Sequence, residues 1–66
     1  MYINIRILML KNNLTFDDVA KVLKVSRNSA SLKVRGKASM TVEDIKLLKS
    51  ELFTNSTYEE LMQTQG

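Results

Sequence analysis

The stretch Leu14-Thr15-Phe16-Asp17-Asp18-Val19-Ala20-Lys21-Val22-Leu23-Lys24-Val25-Ser26-Arg27-Asn28-Ser29-Ala30-Ser31-Leu32-Lys33-Val34-Arg35-Gly36-Lys37 decides how this chain folds. In its first half, Thr15 stands before Phe16-Asp17-Asp18 as an N-cap followed by acids that favour the positive end of a helix dipole. Val19, Ala20 and Leu23 then fall on one face at helical spacing. In its second half, Ser26 stands before Arg27-Asn28-Ser29 and opens another short pattern. The spacing predicts helices over about 16–23 and 27–34 joined by a tight connection at about Lys24 to Ser26, with Ala20 and Ala30 small enough for the two to cross closely. The second start breaks a rule that the first obeys, because its opening turn carries Arg27 and no acid. That conflict makes sense if the helix N-terminus faces a negatively charged partner.

Two more starts lie downstream. Thr41 precedes Val42-Glu43-Asp44, and Ser56 or Thr57 precedes Tyr58-Glu59-Glu60, so at Thr15, Thr41 and Thr57 a threonine hydroxyl is expected to accept an orphan N–H. Ile45, Leu48 and Leu52 continue the third of these patterns at three- and four-residue steps. The opening segment reads two ways: Ile3, Ile5 and Ile7 alternate as in a strand, whereas Ile5, Leu8 and Met9 follow a helix. Helix is the expectation, since a lone strand finds no partner elsewhere in the sequence. The reading is a compact all-α bundle of five short helices near 2–12, 16–23, 27–34, 42–52 and 57–63, one domain over 1–66.

Ile5, Leu8, Val19, Leu23, Ile45, Leu48 and Leu52 are the expected core. Phe53, Tyr58, Leu61 and Met62 are a surplus of apolar side chains near the end of the sequence, expected either to cap the fourth helix or to form a dimer surface.

Composition excludes much. With 66 residues the chain holds one small core, and a domain of this size buries only about 60% of the surface its unfolded chain exposes. It contains no cysteine and no histidine, which removes disulfides, the usual zinc ligands and the commonest general base at neutral pH. No enzyme, no metal and no cofactor is expected, and the acidic pairs Asp17-Asp18, Glu43-Asp44 and Glu59-Glu60 sit where helix starts explain them. The longest apolar run in the first ten residues, Ile7 to Leu10, is far short of the roughly 20 residues that span a bilayer. No basic region or small-residue cleavage site surrounds it, so no membrane association is expected and a cytoplasmic location is.

The net charge of +3 is unevenly spread. Lys21, Lys24, Arg27, Lys33, Arg35 and Lys37 fall in a segment with no acid, while the rest of the chain holds four basic and seven acidic residues. A basic segment of this kind is the electrostatic footprint expected for a phosphate backbone, whose neutralisation releases condensed counterions.

With these features together, the chain resembles the lambda-repressor-like helix-turn-helix family, the Cro and XRE type common among phage repressors and bacterial regulators. The residues that carry the resemblance are Leu14-Thr15, Val19-Ala20, Leu23, Val25-Ser26-Arg27, Ser29, Ser31, Gly36-Lys37 and Thr41-Val42-Glu43-Asp44-Ile45, over roughly residues 5 to 61. The resemblance implies a sequence-specific regulator of double-stranded DNA whose recognition helix, about 26–34, enters the major groove. It implies base contacts from Arg27, Asn28 and Ser31, with Ser29 and Leu32 as further candidates. Chemically, Arg27 suits guanine and Asn28 suits adenine. It implies phosphate contacts from Arg35, Lys37 and Thr15. Because one short recognition helix reads only a few base pairs, a homodimer on a pseudo-palindromic site is also expected, with Phe53, Tyr58, Leu61 and Met62 as candidates for joining the copies.

Three positions depart from the family pattern. Lys24 stands where glycine is usual and must take a left-handed backbone, at a cost on the order of 1 kcal/mol. Phe16 stands where glutamine is frequent and offers no hydrogen bond. Lys33 replaces an aliphatic residue and is expected to lay its stem on the core while its ammonium reaches solvent or phosphate. The rival expectation is a protein-interaction module of the same fold that binds a repressor or other regulator, as an antirepressor or corepressor does. The acid-free basic run favours DNA.

Overall fold

The computed structural model of the chain describes residues 1–64 as an all-helical globule of α1 (Ile3–Lys11), α2 (Phe16–Leu23), α3 (Arg27–Val34), α4 (Val42–Glu51) and α5 (Tyr58–Met62). Every boundary falls within one residue of the sequence expectation, and the ambiguous opening segment is helical. None of the helices among the described residues is long and apolar enough to cross a membrane.

Capping chemistry explains the starts. The Thr41 hydroxyl accepts the Asp44 N–H at 3.1 Å and the Thr57 hydroxyl accepts the Glu60 N–H at 3.2 Å. α2 and α4 both start with a capping box, and at α2 one Asp18 carboxylate oxygen accepts the Thr15 backbone N–H at 2.8 Å and the Thr15 hydroxyl at 3.2 Å. The hydrogen bond from the Thr15 backbone is the main reason the Asp18 carboxyl is held below the ordinary carboxylate value.

The stops share one device. Asn13, Lys24 and Gly36 all have positive φ, at 55°, 59° and 79°. In each case the residue after the left-handed one donates its N–H back to a carbonyl five residues earlier: Leu14 to Met9 at 2.8 Å, Val25 to Ala20 at 3.1 Å and Lys37 to Leu32 at 2.9 Å. This six-residue closure satisfies orphan carbonyls and turns the chain sharply, so α1 and α2 both pack on α3 without any proline. The left-handed backbone expected at Lys24 is present. Gly36 is the position where a side chain is least tolerable, since a Cβ there would also stand 3.1 Å from the Met1 nitrogen.

Packing follows from the faces these ends align. Ile5, Met9, Val19, Ala20, Leu23, Ala30, Val34, Ile45, Leu48, Phe53 and Leu61 are buried in one cluster. Leu8 and Leu52, expected in the core, lie at its edge, half-buried. α2 packs on α3 and α4, while α5 bridges α4 and α1. Ala20 and Ala30 are both buried, and α2 and α3 pack against each other. Asn4 pins the two ends of the sequence by donating from Nδ2 to the Glu60 carbonyl at 2.9 Å and to Gln63 Oε1 at 3.1 Å.

The apolar surplus near the end divides. Phe53 and Leu61 are core residues, 3% and 0% exposed, and are removed from the candidate dimer surface. After α4 the chain doubles back, with the Phe53 N–H on the Leu48 carbonyl at 2.9 Å, and α5 lays Leu61 across the space left open beside α1 and α4. Tyr58 and Met62 stay exposed.

Candidate nucleic-acid interface

The first turn of α3 is built by Ser26. Its backbone is extended, and its hydroxyl oxygen accepts the Ser29 N–H at 3.1 Å while donating to the Ser29 hydroxyl at 3.0 Å. Ser29 therefore serves the cap, half-buried, and is turned toward Ser26. Arg27 and Asn28 are exposed, and Ser31, one turn later, is half-buried. These three line a single open cleft of about 440 Å³ whose fourth wall is Phe16, the first residue of α2. Leu32, the further candidate, is half-buried.

Arg27 reaches across to α2, where its Nε lies 3.5 Å from Asp17 Oδ1. Both side chains are about two-thirds exposed, so the pair adds little stability. Its consequence is geometric. With Nε turned to Asp17, the two terminal guanidinium nitrogens are left for a second acceptor, the arrangement bidentate recognition uses.

Of the remaining sequence candidates, Arg35 and Lys37 are exposed on the connection between α3 and α4, on either side of Gly36. Thr15 is exposed, but Asp18 takes both its backbone and hydroxyl donors. Lys33 is placed differently from the expectation. Instead of reaching solvent or phosphate, its ammonium turns inward, 2.7 Å from Asp44 Oδ2 and 3.1 Å from the Ser39 carbonyl. The lysine and the aspartate are both largely buried, with side chains 17% and 13% exposed. Burial pushes the Asp44 carboxyl up, but the hydrogen bonds from Lys33 and Thr41 outweigh it and hold the group below the ordinary value. Lys33 thus clamps the segment that carries Arg35 and Lys37, because its two acceptors lie at the far end of that connection and at the start of α4.

The six basic residues that share the acid-free segment 21–37 are accordingly divided in space. Lys33 is internal and Arg27 is paired at the cleft. Lys21 and Lys24 line a separate shallow depression with Val22, Leu47 and Glu51, toward α4. Arg6, which the charge pattern did not single out, joins the cleft side instead: its guanidinium carbon is 5.3 Å from the centre of the Phe16 ring. No local signal marks Arg6, since it lies outside the basic run and only the packing of α1 brings it there.

The chain matches no family model, no curated protein and no solved structure.

Proposed function

We propose that this chain is a sequence-specific double-stranded DNA-binding transcriptional regulator of the Cro and repressor kind, with α3 lying in the major groove. The observation that carries the reading is the start of α3. The first turns of α2, α4 and α5 each hold two acids, whereas that of α3 holds none and presents exposed Arg27 and Asn28 beside Ser31 in one open cleft. An uncompensated positive helix end with outward donors is suited to an anionic partner. Arg27 pairs with the O6 and N7 of a guanine and Asn28 with the N6 and N7 of an adenine. Arg35 and Lys37 neutralise phosphates and fix the register, which carries no sequence information itself. Lys33 is left out of the phosphate set because Asp44 holds it.

One short helix reads only a few base pairs, so two copies occupy a pseudo-palindromic site with half-site centres about 34 Å apart. Tyr58 and Met62, the exposed members of the apolar surplus, are the side chains that join them. Selection of bound duplexes from a random pool, followed by sedimentation of the complex on the selected site, tests the reading. It is expected to return a symmetric site holding two chains; an asymmetric site holding one chain rules out the dimer, and recovery of no sequence rules out specific binding.

A second reading, a module that binds another regulatory protein, draws on one observation. The outer face of α1 presents Ile7 and Leu10, 41% and 62% exposed, at a helical step of three. Retention on heparin that falls steeply with salt separates the two, because it belongs to the phosphate-binding reading alone.

A further inference from the structure

We infer that Phe16 is a base-reading side chain, meeting the 5-methyl group of a thymine at the edge of the site that Arg27 and Asn28 read. The inference rests on the DNA-binding reading above and extends it to a residue of α2.

Phe16 is half-buried, packed on the core and still one of the four walls of the open cleft. The other three walls, Arg27, Asn28 and Ser31, all carry hydrogen-bonding groups, so the ring is the apolar wall of an otherwise polar recess. The Arg6 guanidinium, 5.3 Å from the ring centre, adds a cation–π contact that steadies the ring from the α1 side. A base pair in the major groove displays hydrogen-bond donors and acceptors on every edge, and its one apolar feature is the thymine methyl. The one chemical match for the ring in this recess is therefore that methyl. Cytosine presents hydrogen at the same carbon, so the contact discriminates between the two pyrimidines without a hydrogen bond. The ring shares one cleft with Arg27, Asn28 and Ser31, so a duplex edge that those side chains contact lies within reach of it.

Replacing thymine by deoxyuridine in the selected duplex, one position at a time, removes only the methyl and leaves the protein untouched. At one thymine per half-site the wild-type chain is expected to bind about four-fold more weakly, which is the ~0.8 kcal/mol of one buried methyl-sized group converted at about 1.4 kcal/mol per tenfold. Phe16→Gln, with Phe16→Leu as the variant that keeps an apolar side chain, is expected to lose that difference in the first case and retain part of it in the second. Circular dichroism checks that each variant is folded. Insensitivity of the wild-type chain to every substitution overturns the inference while leaving DNA binding standing. A penalty that persists unchanged in Phe16→Gln assigns the methyl to another side chain and overturns it equally. Failure to select any DNA refutes the underlying reading instead.

Discussion

Replacing Asp44 by asparagine removes one charge and keeps the shape of the side chain. In the native chain the carboxylate accepts the Lys33 ammonium at 2.7 Å and the Thr41 N–H at 3.1 Å, with both charged side chains more than four-fifths buried. Asparagine preserves an acceptor for Thr41 but leaves the ammonium with the Ser39 carbonyl as its remaining partner. A hydrogen bond to a charged group contributes about 1.5–3 kcal/mol, so the substitution is expected to cost about 2 kcal/mol. A 66-residue domain has a total stability of only about 3–10 kcal/mol, and each kcal/mol moves Tm by about 4–8 °C, giving a drop of roughly 8–16 °C. The assay is urea unfolding of the wild type, Asp44→Asn, Lys33→Met and the double variant. Coupling of about 1.5 kcal/mol or more is expected, against about 0.5 kcal/mol or less for the exposed Arg27–Asp17 pair measured in the same way. Equal coupling in the two pairs, or an Asp44→Asn variant within about 0.5 kcal/mol of wild type, refutes the claim that Lys33 is a structural clamp.

Because Asp18 and Asp44 both titrate below the ordinary value of 3.8 in the folded chain, the unfolded chain binds more protons in that range. Their contribution is complete above about pH 5 and is lost as pH falls through the folded values; thermal melts from about pH 6 to 2 are expected to show a steep acid limb that is shallower in Asp44→Asn. Lys24→Gly relieves the left-handed strain of about 1 kcal/mol against an unfolded-state entropy of about 0.5 kcal/mol, so Tm is expected to rise by about 2–4 °C, as calorimetry would show. Arg35→Ala and Lys37→Ala are each expected to lower affinity on every DNA sequence and to reduce the slope of log K against log salt by about one unit, read from binding titrations at several salt concentrations.

The helix ends were legible because their signals are local. A threonine or serine followed by acids marks a start, and the left-handed backbone at Lys24 is expected because the helix-turn-helix family that the chain resembles usually has glycine there. The opening helix was ambiguous for a physical reason: its outer face also carries Ile3, Ile7 and Leu10, so apolar residues occur at both helical and strand spacing, and only Ile5 and Met9 are buried. What the sequence concealed depends on contacts between distant residues. Asp44 already had a role as the acid of a capped helix start, and nothing local says that Lys33, eleven residues earlier, points at it. Arg6 and Phe16 meet only because both α1 and α2 pack on α3, which brings the two long side chains within reach of each other. Phe53 and Leu61 stand out as surplus apolar residues, but whether such residues cover a core or face a partner is decided by where the returning helix lands.

The reading of the α3 start as a base-recognition element is tested most directly by the ratio of affinities for the selected duplex and for random duplex at one fixed salt concentration, in the wild type and in Arg27→Ala. A ratio of about 10³ or more is expected for the wild type, falling by about 10- to 100-fold in Arg27→Ala while binding to random DNA is unchanged. A wild-type ratio near one, or an Arg27→Ala loss that is equal on both duplexes, contradicts it.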